Sequence, residues 1–265
     1  MSRIDVALLL GRPPSEKSVL WDTVRRMSSR GLRVAGFLVH EPPTALPQAE
    51  RYVLRSLSPA VLRVLCGRLE AARCINAPAA TAVVRDKART ARLLEAAGLP
   101  VPHTDGVERW EQIVERWTAA PIVVKSRFGS RGEGVFICEG RTLPARPPFP
   151  GPYLVQERIV SDGVDRKLYV IGGRVAGVLR SFPAPTPEQK RGAPFDPHRG
   201  LVELARGVGR VLGLSAYGVD VLLAPTGPVI VDVNAMPGFK GVEGAAASLA
   251  DVLSGGGREE VPCGS

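Results

Sequence analysis

The sequence predicts an α/β chain of the mixed α+β kind, and three observations carry that expectation. Residues 3–39 read as strand, helix and strand. From residue 121 onward, short apolar runs alternate with glycine turns, the pattern of antiparallel hairpins. Helical segments with apolar residues at 3.6-residue spacing separate these parts.

The opening run, 3–10, ends at Gly11, and 15–30 carries Val19, Leu20, Val24 and Met27 at helical spacing before Gly31. With the apolar run at 32–39, this is a β-α-β unit with parallel strands. Residues 48–69 are expected to be largely helical, Pro59 either breaking the helix or starting a second one at its first turn. A third short strand follows at 73–76. This region holds neither a G-x-G-x-x-G nor a Walker loop, hence no phosphate site of its own. Helices are then expected at 88–97, closed by Gly98, and at 106–119, with Pro100 and Pro102 keeping the link between them extended.

Strands are expected at 121–125 and 134–138. Between them Gly129, Gly132 and Gly134 make a flexible flap whose backbone N–H groups could close over phosphates, or an ordinary turn; Lys125 immediately before it favours a nucleotide flap. After a proline-rich link at 140–152 come a strand at 153–160 and a hairpin, 165–171 and 174–180, turned by Gly172-Gly173. Lys167 and Arg180 could share one face of that hairpin, or be surface charge. Residues 182–200 contain five prolines and no periodicity; a loop of that length is expected to act as a lid or acceptor loop. Helices at 201–212 and 245–253 and a flexible tail from 255 complete the chain.

The most informative stretch is 217–241. Two β-branched runs flank a Pro-Thr-Gly-Pro turn and are interrupted by Asp220, Asp232 and Asn234. Asp232 and Asn234 face the same side of a strand, and a hairpin can bring Asp220 alongside. Oxygen-only ligands suit Mg²⁺ or Mn²⁺. A calcium loop is set aside because its required sixth-position glycine would be Pro237; solvent-facing edge residues remain the plainer alternative.

Composition narrows the function classes. At 265 residues the chain can bury a sizeable core, without eighteen consecutive apolar residues or a signal-like N-terminus, so a cytoplasmic protein with no membrane partner is expected. Cys66, Cys74, Cys138 and Cys263 show neither zinc nor disulfide spacing. The net charge is +9, yet no Lys/Arg cluster appears and aromatics are 5%, which argues for small anionic ligands over nucleic acid. Only six of the 35 basic residues are lysines, and four of them (Lys87, Lys125, Lys167, Lys240) fall within the stretches singled out here. His40, His103 and His198 are scattered and assigned no chemistry.

From about Cys74 to Gly241 the motifs resemble, in order, those of the ATP-grasp superfamily, and most closely RimK-type α-L-glutamate ligases. They are Asn76-Ala-Pro78, Asp86-Lys87, Gly98 to Thr104, Lys125 with the glycine loop, Gln156-Glu157, Gly163-Val-Asp165, and Asp220, Asp232 and Asn234. The resemblance implies an N-terminal βαβ domain (1–78), a central subdomain with the flap (79–154), a C-terminal subdomain with the metal site (155–254) and a tail (255–265). It also implies that Lys87, Lys125, Gly129, Ser130, Arg131, Gly132 and Gly134 hold ATP phosphates. Gln156, Glu157, Arg158 and Ile159 would form the adenine hinge, Asp165 would meet the ribose, and Asp220, Asp232 and Asn234 would hold two Mg²⁺ ions, with Mn²⁺ an alternative. Arg180 would contact the transferring phosphoryl group, with Lys167 beside it as a further catalytic cation. The implied reaction joins a small-molecule carboxylate to an amine through an acyl phosphate, by positioning and charge neutralisation. A homo-oligomer is compatible with this reading.

Two departures keep a second reading open. Asp232 stands where such ligases usually have glutamate, and Asp165-Arg-Lys167 replaces Asp-x-Arg; both resemble the inositol trisphosphate 5/6-kinases, which phosphorylate a hydroxyl. A nucleotide-binding protein without catalysis is the third reading.

Overall fold

The structure is a computed structural model that describes residues 4–117, 121–129, 134–139, 143–181 and 192–255. Three sheets organise it. In the first, β1 (Ile4–Leu10), β2 (Val34–Leu38), β3 (Ala49–Arg55) and β4 (Cys74–Ile75) run parallel in the order β2-β1-β3-β4. Helix α1 (Val19–Ser29) joins β1 to β2, and the Ser18 hydroxyl caps it by accepting from the Trp21 amide.

The strand β3 corrects the helix expected at 48–69. Glu50, Arg51 and Arg55 favour a helix locally, but Tyr52, Val53 and Leu54 are needed inside the sheet, where β3 lies beside β1 along its whole length. Only α2 (Pro59–Cys66) is helical, with Pro59 in its first turn and Ser58 as its cap.

The second sheet, β5-β8-β6-β7, is antiparallel and consists of β5 (Thr104–Val107), β6 (Ile122–Ser126), β7 (Val135–Cys138) and β8 (Tyr153–Glu157). Its β5 occupies the start of the helix expected at 106–119; helix α5 (Trp110–Arg116) is shorter. It has its own small core, in which Trp110 meets Phe136 and Tyr153 edge to face and donates its indole N–H to Pro144 O at 2.8 Å. Since β8 runs to Glu157, it crosses the expected subdomain boundary at 154.

The third sheet is also antiparallel: β11 (Ala193–Phe195), β10 (Arg174–Ser181), β9 (Val164–Ile171), β12 (Ala216–Ala224) and β13 (Gly227–Ala235), in that order. The Gly172-Gly173 turn sits at positive φ, as the hairpin requires. Helices α3 (Pro78–Arg85), α4 (Lys87–Ala96) and α6 (Arg199–Leu212) cover one face, where Val84, Leu94 and Leu201 share a core with Leu168 and Val170 of β9. On the other face Tyr169, Ile171 and Val178 share a core with β1, β3, α1 and α7 (Ala245–Leu253). Asn76 fastens the first sheet to the third: its side chain donates to Ala216 O and accepts from the amides of Ser215 and Ala216 at 2.8–2.9 Å. The expected loop at 182–200 falls on residues 182–191, which lie outside the described residues, and on β11; the tail beyond 255 also lies outside them.

Candidate functional site

The alternation of side chains along β9 divides one face of the third sheet into two halves. Asp165 and Lys167 point the same way as Tyr169 and Ile171, so the strand is charged at one end and apolar at the other. Register then extends the charged half sideways. Arg180 lies opposite Asp165, Asp220 opposite Lys167, and Asp232 opposite Asp220. Asn234, two residues on, donates to Asp232 Oδ2 at 3.2 Å. The hairpin thus brings Asp220 beside Asp232 and Asn234, with a bulge after Asp220 that bends the strand there.

Each aspartate faces a lysine. Lys87, the first residue of α4, bonds to Asp232, and Lys167 bonds to Asp220 while its ammonium stands 3.6 Å from Asp165. Lys125, at the end of β6, reaches across from the second sheet and donates to Val231 O at 3.0 Å. Burial pushes the Lys125 ammonium down to about 8, with Asp232 opposing. Burial also disfavours the charge on Asp232, but Lys87 and Lys125 outweigh it and hold that carboxyl below its ordinary range. Asp165 goes the other way: burial and the neighbouring Asp220 push it up to about 6 against Lys167 and Arg180. For Lys167 burial is overcome by Asp220 and Asp165, which raise it.

Asp86 is more than a solvated neighbour of Lys87. It caps α4 by accepting from the amides of Ala88 and Arg89, and it receives both arms of the Arg127 guanidinium at 2.9 and 2.7 Å. The Lys87 amide in turn donates to Arg127 O at 3.1 Å. Arg127, which sequence reasoning did not single out, thereby ties the root of the flap to the helix that presents Lys87. A cation two residues after a strand lysine was the only available signal.

The flap itself is described at its two ends. Gly129 donates to Ser126 O, and Ser126 donates to the carbonyl of Gly134, which has φ +66°. Ser130, Arg131 and Gly132 lie outside the described residues. Along the hinge, Gln156 is buried with its amide nitrogen on Thr104 Oγ1, Glu157 N–H donates to His103 O, and Arg158 N–H donates to Pro121 O. The Arg158 guanidinium pairs with Glu139. Val84, Lys87, Gln156, Val231 and Asp232 line a cavity of about 20 Å³, room for one water molecule.

The sequence resemblance assigns Asp165 to a ribose, whereas its carboxylate here sits within the cluster of Lys167, Asp220 and Arg180. Its Oδ1 is buried with no hydrogen-bond partner among the described residues, as are Nε of Arg85 and Nε of Arg180. Of these, the open Asp165 acceptor and Arg180 donor stand together beside hard oxygen ligands and fit a cation carrying a polyanion. Among the described residues no three carboxylate, histidine or cysteine side chains are close enough to form a metal site by themselves, so the candidate set depends on the Asn234 amide.

The RimK-like ATP-grasp domain family matches residues 84–251, more than half of the chain. The chain belongs to the RimK-like ATP-grasp family. It is 30% identical over 203 residues to a probable alpha-L-glutamate ligase of Vibrio atlanticus, covering 68% of this chain and 65% of the relative. A protein of the same description from Saccharophagus degradans is 30% identical over 196 residues, covering 65% and 62%. The chain therefore spans slightly less than two thirds of the length of these curated relatives. Among solved structures, the ATP-grasp ligase PsnB, complexed with a minimal precursor, Mg and ADP, superposes with a TM-score of 0.69 at 19% identity, over 97% of this chain and 99% of that one. A RimK domain ATP-grasp protein from Sphaerobacter thermophilus gives 0.64 at 23% identity, over 97% and 99%. The macrocyclase MdnC of Microcystis aeruginosa, bound with its precursor peptide MdnA, gives 0.67 at 11%, over 94% and 99%. At these identities the structural likeness establishes the ATP-grasp fold.

Proposed function

We propose that this protein is an ATP-dependent carboxylate–amine ligase that forms an amide through an acyl phosphate. The observation that carries the reading is the row Asp220, Asp232 and Asn234 on the third sheet, facing Lys87 and, from the second sheet, Lys125. Hard oxygens opposite two ammonium groups suit a Mg²⁺–triphosphate, held on one side by metal and on the other by lysines. ATP supplies the phosphoryl group that activates the carboxylate. Lys87 and Lys125 would bind its phosphates, together with the flap of Gly129, Ser130, Arg131, Gly132 and Gly134. Gln156, Glu157, Arg158 and Ile159 would border the adenine. The Ile159 N–H is the hinge amide with no hydrogen-bond partner among the described residues, and so suits a ring nitrogen. Asp220, Asp232 and Asn234 would hold Mg²⁺, two ions or one, with Mn²⁺ able to substitute. Asp165 would serve the metal–phosphate cluster or the ribose. Arg180 and Lys167 would neutralise charge on the phosphoryl group in transit.

The acid to test first is L-glutamate, because the curated relatives carry that name. The amine belongs to a peptide or small molecule, by analogy with the peptide complexes of PsnB and MdnC. None of the relatives described above is named as a kinase, and the inositol phosphate kinase reading is not favoured. We place the enzyme in the cytoplasm; among the described residues no helix is long and apolar enough to cross a membrane. Incubation with ATP, Mg²⁺, glutamate and a panel of amines and peptides is expected to release ADP only when acid and amine are both present. ADP release with a polyol alone, without amide product, would overturn the proposal.

A further inference from the structure

A second cationic place lies at the joint between the first and third sheets. Along β3, Tyr52 and Leu54 pack toward α2 while Val53 enters the core shared with Tyr169, Met236 and Phe239. Arg55, two residues beyond Val53, is on that same side. It comes within 3.8 Å of the position a Cβ on Gly238 would take. The loop it meets, 236–240, directly follows Asp232 and Asn234. Arg180 reaches the same loop from β10, donating to Lys240 O at 3.2 Å. Two guanidinium groups thus approach one short loop from different sheets.

The Arg55 side chain makes no hydrogen bond or ion pair with any described residue, its carbonyl alone being taken by the Gly11 amide, and burial pushes its pKa down. The Arg180 guanidinium donates to the Tyr169 hydroxyl and to Lys240 O but forms no ion pair with a described residue, and its Nε is unsatisfied among them. A partly buried guanidinium whose donors are left unmet costs stability, and such an arrangement persists where a ligand supplies the missing partner. Backbone geometry singles out the same spot. The non-glycine residues at positive φ among the described residues are Ser56 (+57°), directly after Arg55, and Met236 (+46°) and Phe239 (+47°) in the loop. Gly11, at the end of β1, lies so close to the Ser56 carbonyl that any side chain there would collide with it. Strained backbone gathers where surrounding structure holds a site in shape.

Resting on the ligase reading above, we propose that Arg55, with Arg180 across the 236–240 loop, is a specificity-determining residue that binds a non-reacting carboxylate of an acidic substrate. Arg180 faces both the phosphoryl side and the loop, whereas Arg55 faces the loop only, from the far sheet. A dicarboxylate lying along the loop would present one carboxylate to each.

The test is calorimetric titration of L-glutamate, succinate and propionate into the protein loaded with Mg²⁺ and a non-hydrolysable ATP analogue. Wild type is expected to bind the two dicarboxylates more tightly than propionate. Arg55→Gln should weaken dicarboxylate binding about tenfold or more, leave propionate little changed and keep nucleotide affinity within about twofold, with Arg55→Lys recovering part of the loss. Equal dicarboxylate binding by wild type and Arg55→Gln overturns the proposal, as does wild type that binds neither dicarboxylate, or a parallel loss of nucleotide binding. Should Arg55→Gln fail to fold, Arg55→Lys decides alone: a natively melting variant with unchanged dicarboxylate affinity overturns it. Dicarboxylate binding that needs Arg55 in an enzyme that makes no amide would count against the ligase reading and leave the subsite standing.

Discussion

The two antiparallel sheets that supply the candidate nucleotide site are anchored in opposite ways. The five-stranded sheet bearing Asp220, Asp232 and Asn234 is packed on both faces, against α3, α4 and α6 on one and against the first sheet with α1 and α7 on the other. The four-stranded sheet bearing Lys125 has a small separate core around Trp110 and Tyr153. Between the two, Lys125 reaches from β6 to Val231 O, and the link that enters β5 adds the Ile230 amide donating to Pro100 O at 2.8 Å. The difference teaches how the parts can share the work. The metal-candidate oxygens stand on the sheet packed on both faces, while Lys125 stands on the sheet with the small core of its own. The cavity lined by Lys87, Val231 and Asp232 holds about 20 Å³, room for a water molecule.

The largest effect is expected on the sheet packed on both faces. Asp232→Ala should lower turnover about 10³-fold or more, because Asp220, already bonded to Lys167, cannot replace its oxygens, and it should also lower the melting temperature, since Lys87 loses its acid. ADP release at saturating Mg²⁺ measures it, and wild-type turnover would remove Asp232 from the site. Lys125→Ala, on the second sheet, should weaken nucleotide binding about 10- to 100-fold with a smaller effect on turnover at saturation; unchanged affinity would show that the second sheet does not clamp the phosphates.

Smaller still is a pH effect at the contact between the sheets. Lys125 is held near 8, below the usual lysine value, so its charge is present at pH 7 and lost as pH rises through about 8. If the ammonium is the binding form, nucleotide affinity falls by up to about tenfold per pH unit above that value, with proton uptake on binding. Lys125→Arg should flatten the fall, and calorimetry in two buffers of different ionisation enthalpy would measure the uptake.

Asp165 titrates in the opposite sense. Its carboxyl is raised to about 6, so between about pH 4 and 6 the folded protein binds more protons than the unfolded chain, and stability declines as pH rises across that window. Asp165→Asn should remove this slope and raise the melting temperature at pH 7 by a few degrees, about 1 kcal/mol or more. Smallest is Trp110→Phe, which deletes the bond to Pro144 O at a cost of about 1 kcal/mol. Hydrogen exchange should quicken in β5 to β8 and leave β9 to β13 unchanged; uniform acceleration would mean that the two sheets unfold as one unit.

Most elements of the third sheet were legible because its patterns are local. The Gly172-Gly173 turn, the β-branched runs around Asp220 and Asp232, and the last helix at 245–253 each carry their own signal. Misreadings arose where local preference and tertiary need diverge: Glu50, Arg51 and Arg55 suit a helix, yet the sheet takes that segment as β3. In the site, the pairing of Asp220 with Asp232 follows from a hairpin of nearly fixed length. Residue type alone could not reveal the Asp86–Arg127 clamp, which spans 41 positions, or the approach of Arg55 to Gly238.

The sequence by itself determined the residue chemistry, the order of the motifs and the strand alternation that turns Asp165, Lys167 and Tyr169 to one face, because these depend on neighbours a few positions apart. Only the tertiary structure decided which cation meets which acid, which sheet holds a shared core, and where an arginine side chain is left without a partner among the described residues. Those outcomes depend on burial and on contacts between segments far apart in the chain, where desolvation, rather than local propensity, sets the energy.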